Sequence, residues 1–104
     1  MKIVNDKEFK EVIKEGITLV DFYADWCGPC KALAPVLEAL SEEYTEVNFI
    51  KVNVDESEET SMEYGIMSIP AVFMLKDGNI IGKTGGYRDL EAMKSFIDDT
   101  LKKI

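Results

Sequence analysis

The spacing of apolar positions along this chain changes several times, and each change marks an element. After a short apolar start at Lys2, Ile3 and Val4, the residues Phe9, Val12 and Ile13 recur at helical intervals. Asn5 or Asp6 is placed to cap that helix and Gly16 to end it. Residues 17–24 (ITLVDFYA) form a nearly continuous run of β-formers, too short for a stable helix, which predicts a strand covered on both faces. From Pro29 the period turns helical again, with Leu33, Val36, Leu37, Leu40 and Tyr44 in one stripe. Pro35 interrupts this stripe and is expected to kink the helix, because a mid-helix proline lacks the amide hydrogen and crowds the preceding turn.

Residues 47–54 (VNFIKVNV) read as a second buried strand, and 57–64 as a short acidic helix stopped by Gly65. Residues 71–75 and 79–82 read as two strands joined through Lys76-Asp77-Gly78, where Asp-Gly is a strong hairpin signal, and Gly85-Gly86 breaks the chain again. The last helix, from Asp89, sets Leu90, Met93, Phe96, Ile97, Leu101 and Ile104 along one face. Met62, Met67, Met74 and Met93 read as adaptable core filler. The order β-α-β-α-β-α-β-β-α has long crossovers early, which require parallel pairing, and a tight turn late, which requires antiparallel pairing. It predicts an α/β domain over residues 1–104, with a mixed sheet and helices on both faces.

Composition narrows the chemistry. A chain of 104 residues suits a single hydrophobic core. No apolar run approaches the roughly 18 residues that span a bilayer, and the charges in MKIVNDKEFK replace the apolar stretch of a signal peptide, so a reducing cytoplasm is the expected location. The net charge of −8, from 12 basic and 20 acidic residues, disfavours nucleic acid and anionic membranes as partners and favours solubility. The absence of histidine removes Ser-His-Asp and Cys-His nucleophile systems, and two cysteines are too few for an all-cysteine zinc site within one chain.

Both cysteines lie in ADWCGPCK, between a predicted strand and a predicted helix. Pro29 is tolerated in a first helical turn, which places Cys27 at or just before the helix N-terminus, where free amide hydrogens and the dipole favour a thiolate. Gly28 adds no side chain over the sulfur, and Cys30 follows within one turn. The pair can be a redox couple, a structural crosslink, or half of a metal site shared between two chains. A crosslink closing so short a loop removes little chain entropy, and a disulfide in a reducing compartment is usually transient, so the redox reading leads. Asp21 is the other conspicuous residue: a lone carboxylate inside a run predicted to be buried must either raise its pKa or find a partner.

These residues resemble the thioredoxin family. VDFYADWCGPCK (residues 20–31) is similar to the family's active-site motif, and KVNVD (51–55), YGIMSIPA (64–71) and Gly86 follow in family order and spacing, so the resemblance covers essentially the whole chain. Departures are Tyr23 where many members carry a second tryptophan, Ala71 where threonine is commoner, and a proline missing from residues 55–59. The resemblance implies the thioredoxin fold, a central mixed five-stranded β-sheet flanked by four α-helices. It implies a protein-disulfide reductase in which Cys27 is the exposed nucleophile and Cys30 the more buried resolving thiol. Asp21 would be the buried acid exchanging protons with Cys30, and Lys51 its buried partner. Pro70 would be a cis-proline facing the disulfide, with the backbone at Ile69 offering hydrogen bonds to an extended substrate segment. Trp26, Gly28, Pro29, Ile69, Pro70 and Gly86 would make a flat apolar docking surface. No bound cofactor is implied. Electrons would arrive from a thioredoxin reductase drawing on NADPH, and the partners would be that reductase and disulfide-containing proteins, met by a monomer. The residues leave two other roles open: a scaffold using the same apolar patch with its cysteines incidental, and a zinc-bridged dimer.

Overall fold

A computed structural model describes all residues, Met1–Ile104, and joins every strand in one sheet of order β1-β3-β2-β4-β5. The elements are β1 (Lys2–Ile3), α1 (Phe9–Val12), β2 (Ile17–Tyr23), α2 (Gly28–Glu43), β3 (Val47–Asn53), α3 (Glu58–Glu63), β4 (Ala71–Lys76), β5 (Asn79–Gly85) and α4 (Leu90–Leu101). Strand β3 runs parallel to both β1 and β2, and β4 runs antiparallel to both β2 and β5. The mixed five-stranded sheet with four helices is therefore as expected.

Two packed layers follow from the alternation of side chains along the central strands. Leu19 on β2, Phe49 on β3 and Met74 on β4 pack with Leu33, Leu37 and Leu40 of α2 and Met93 and Ile97 of α4. Val20 and Phe22, one residue out of phase, pack on the opposite face with Phe9, Ile50, Phe73 and Leu75. There Tyr64 meets Phe9 and Phe73 edge-on, at centroid distances of 5.4 and 5.6 Å, an arrangement that favours aromatic pairs beyond area burial alone. Each side chain in these layers that is removed from water contributes about 1.5–3 kcal/mol. Asp21 and Tyr23 share the phase of Leu19 and so face the α2 side.

Local choices explain the element ends. Asn5 caps the turn that precedes α1, through Oδ1 accepting from the Lys7 and Glu8 amides at 3.0 Å, whereas the N-cap of α1 itself is Glu8, without a side-chain cap. Asp6 caps a different helix: its carboxylate accepts from the Thr60 amide at 2.9 Å and the Glu59 amide at 3.3 Å, supplying to α3 the cap that Ser57 does not. The two-residue loop Asp77-Gly78 has φ of 50° and 85°, the left-handed pair that a tight hairpin needs, and Asp77 Oδ1 accepts from the Gly16 amide at 2.8 Å.

Several expectations are corrected. Strand β5 continues past Gly82 to Gly85, because Val72 and Ala71 of β4 pair with Thr84 and Gly85, which carries the pairing past the glycines that signalled a break. Helix α2 begins one residue early, at Gly28, and extends to Glu43 with Pro35 inside it. Met74 and Met93 are core residues, but Met62 and Met67 are 80% and 96% exposed. The residue type fits a core, yet α3 is too short to bury more than one side. Leu90, at the start of α4, and Ile104, three residues past its end rather than on its apolar face, are about half exposed.

Candidate active site

Strand β2 ends where its last residues leave the sheet, and the chain turns at Asp25-Trp26 to start α2. Cys27 occupies the N-cap in an extended conformation (φ −89°, ψ 109°), and Gly28 and Pro29 form the first turn. Pro29 costs nothing there, since the first amides of a helix have no carbonyl to bond. Cys27 and Cys30 are joined by a disulfide with their Cα atoms 5.2 Å apart. The Cys30 amide donates to Cys27 Sγ at 3.2 Å, so the sulfur takes the capping role that an oxygen fills elsewhere. A sulfur so placed at the positive end of a sixteen-residue helix is favoured as an anion.

The chain closes the site from two distant segments. The Ile69–Pro70 peptide is cis, and the Ile69 carbonyl oxygen lies 3.9 Å from Cys27 Sγ. Gly86, at φ +78°, donates its amide to the Pro70 carbonyl at 2.8 Å. Phe22 near the end of β2 pairs with Ala71 at the start of β4, and Ala71 pairs with Gly85, so three segments well separated in the chain meet by sheet register. Gly28, Pro29 and Gly86 are exposed, Ile69 half-buried and Pro70 buried. Trp26 is 70% exposed, and its indole N–H donates to Asp55 Oδ2 at 2.8 Å, which holds the ring on the surface.

Asp21, two residues before Tyr23 on β2, is buried, and its Oδ1 finds no hydrogen-bond partner in the protein. Desolvation pushes its carboxyl up to about 6, against the opposing pull of the Lys51 charge. Lys51 pairs in register with Asp21 across β2 and β3. It is only half-buried, and it makes no ion pair with that carboxylate. Its ammonium instead lies 4.3 Å from the centre of the Tyr23 ring, a cation–π distance. Tyr23, Lys51 and Cys30 line one cavity of about 340 Å³, together with Lys31 and Ala34 of α2.

Two expectations are modified here. Cys27 is not the more exposed of the pair: both cysteines are 4% exposed, packed with Tyr23 and Ala24. Lys51 is not a buried ion-pair partner, since the aromatic ring takes its ammonium. Sequence reasoning missed Asp55 and Met67. Asp55 is joined to Trp26 only by the fold, at a sequence separation of 29, and Met67, read as core filler, gave no signal of its exposure because a methionine in an apolar run reads as buried.

Comparison with known proteins agrees with this arrangement. A family model described as Thioredoxin matches residues 1–99. The chain is 42% identical to the thioredoxin of Bacillus subtilis over 97 residues, covering 92% of this chain and 93% of that protein. It is 39% identical to the thioredoxin of Chlamydia pneumoniae, with 94% and 96% covered. The solved structure of Plasmodium falciparum thioredoxin is similar with a TM-score of 0.90 and 39% identity, covering 95% of this chain and 98% of that one.

Proposed function

The chain belongs to the thioredoxin family, whose members are thiol-disulfide oxidoreductases, and from that premise we propose how its residues divide the reduction of protein disulfides. Cys27 is the attacking sulfur and Cys30 the resolving one. The observation that carries this assignment is the helix N-cap position of Cys27, with the Cys30 amide pointing at its sulfur.

In the dithiol form, the Cys27 thiolate attacks one sulfur of a target disulfide. A Cys27–target disulfide forms, and the displaced target thiolate takes a proton from solvent. Cys30 then loses its proton to Asp21, and its thiolate attacks Cys27 Sγ. The mixed disulfide breaks, the second target thiol leaves, and the Cys27–Cys30 disulfide remains. Two electrons have passed from the cysteine pair to the target. A carboxyl near 6 suits this exchange, since it is largely ionised at neutral pH yet basic enough to accept a thiol proton transiently. The Lys51 charge on the Tyr23 ring supports the ionised form of Asp21 without neutralising it.

Targets are disulfide-containing proteins. An extended target segment lies across Trp26, Gly28, Pro29, Ile69, Pro70 and Gly86, taking hydrogen bonds from the backbone at Ile69 in the manner of an added strand. Re-reduction falls to a thioredoxin reductase that draws on NADPH, and the cycle belongs in the cytoplasm, where that supply and the targets coexist.

Two variants test the division of roles. Cys30→Ser, mixed with a disulfide-bearing protein, is expected to accumulate a covalent complex through Cys27 that dithiothreitol releases, whereas Cys27→Ser forms none. Equal trapping by both variants would reject the assignment. Insulin reduction by the intact protein, driven first by dithiothreitol and then by a reductase with NADPH, should run well above the dithiol background.

A further inference from the structure

Met67 is the most exposed large apolar side chain of the molecule, at 96%, while Ile66 and Ile69 on either side of it in the same loop are half-buried. It lines a shallow groove of about 180 Å³ with Trp26, Val54, Ile66, Ser68 and Ile69. That groove continues the face on which Trp26 and Ile69 receive target segments in the function proposed above, and this inference rests on that reading. The other internal methionines differ in kind. Met74 and Met93 are fully buried, and Met62, though exposed, does not line the groove.

A thioether is flexible, polarizable and apolar, which suits a surface that must fit many target sequences. The same sulfur is open to oxidation when solvent reaches it. We propose that Met67 is an oxidation site through which peroxide weakens docking of protein targets while leaving the dithiol chemistry intact. The sulfur attacks one oxygen of hydrogen peroxide, the O–O bond breaks, and methionine sulfoxide and water result. Sulfur is oxidised by two electrons and the peroxide oxygen is reduced by two. The product carries a strong S=O dipole. A target segment laid over it must desolvate that oxygen with no donor offered by Trp26, whose indole N–H is already given to Asp55. The disulfide form is the susceptible one, because it contains no thiolate to consume the peroxide first.

The experiment treats the disulfide form with hydrogen peroxide and follows each methionine by peptide mass spectrometry. Insulin reduction is then compared with reduction of a small aromatic disulfide, both driven by dithiothreitol. Met67 should oxidise well before Met74 and Met93. The KM for insulin should rise about fivefold, a change consistent with one unpaired polar group, while the small disulfide is reduced at an unchanged rate. Met67→Leu should resist the effect of peroxide, Met62→Leu should not, and Met67→Gln should reproduce it without peroxide. An equal rise in KM in oxidised Met67→Leu, or full Met67 sulfoxide with no change in KM, would overturn the proposal. Trp26→Ala in the same assay separates the underlying reading. An unchanged KM there removes the docking face itself, and this proposal with it; a raised KM beside an inert Met67 sulfoxide overturns only the role of Met67.

Discussion

Asp21 and Asp6 are both carboxylates that the fold perturbs, and they act on stability with opposite signs. Burial raises the Asp21 carboxyl to about 6, so the folded chain holds that proton more tightly than the unfolded one. Its contribution is full below the unfolded value, near 4, and is lost as pH rises through about 6. Asp21→Asn should therefore gain on the wild type by roughly 2–3 kcal/mol between pH 4 and pH 8 in urea denaturation. A constant difference across that range would contradict the burial of an ionising group. Asp6 is lowered instead, chiefly by the Thr60 hydroxyl and further by the Thr60 and Glu59 amides. Its contribution is present at neutral pH and disappears as acid protonates it below the unfolded value. Hydrogen exchange at the Thr60 amide should accelerate in Asp6→Ala and, in the wild type, on acidification after correction for intrinsic rates. The sequence made Asp21 legible because a charge in an apolar run is anomalous wherever it falls. Asp6 was legible only as a possible cap for its own helix, since Thr60 lies 54 residues away.

Elements whose residue types agree with their surroundings were readable, and those held by a neighbour were not. The run at β2 declares itself because both faces are covered and every position is apolar or β-branched except Asp21. Early in strand β5 come Ile80 and Ile81, which favour a strand, but its second half holds Gly82, Lys83 and Gly85, which do not, and there it is held by pairing with β4. The register also skips between Met74 and Leu75, where Gly82 and Ile80 are their partners, a bulge that no spacing rule would reveal. Gly82 serves a second purpose. A Cβ there would stand 2.7 Å from Thr100 Oγ1 and 3.0 Å from its Cγ2, so α4 lies on β5 only because the side chain is missing. Gly82→Ala should cost about 1–3 kcal/mol in thermal or chemical denaturation. Thr100→Ala, added to it, should restore part of the loss, and purely additive effects would show that the two residues do not collide.

The whole molecule carries a net charge of −8 with three ion pairs, all at least partly solvent-exposed: Met1–Glu38, Lys2–Glu8 and Lys94–Glu43. Exposed pairs contribute little, about 0–1 kcal/mol each, while self-repulsion acts on the entire surface. Raising ionic strength from a few millimolar to about 0.15 M should thus raise the melting temperature, as the Debye length contracts to about 8 Å. A fall would mean that the pairs outweigh the repulsion. Composition made this charge plain, as it made plain the missing histidines. It could not show where the site would assemble, because Cys27, Pro70 and Gly86 come together by strand order rather than by proximity in the chain.

That strand order fixes a sequence of events during synthesis. Cys27 and Cys30 are made some 40 residues before Pro70, and β4 must slot between β2 and β5 before the wall opposite the sulfurs exists. Until the ribosome has released residues through about Gly86, a nascent chain carries both thiols without the Pro70–Gly86 contact that closes the chain beside them. The surroundings of the two sulfurs are thus completed by the last strand of the sheet, although the sulfurs themselves are made early.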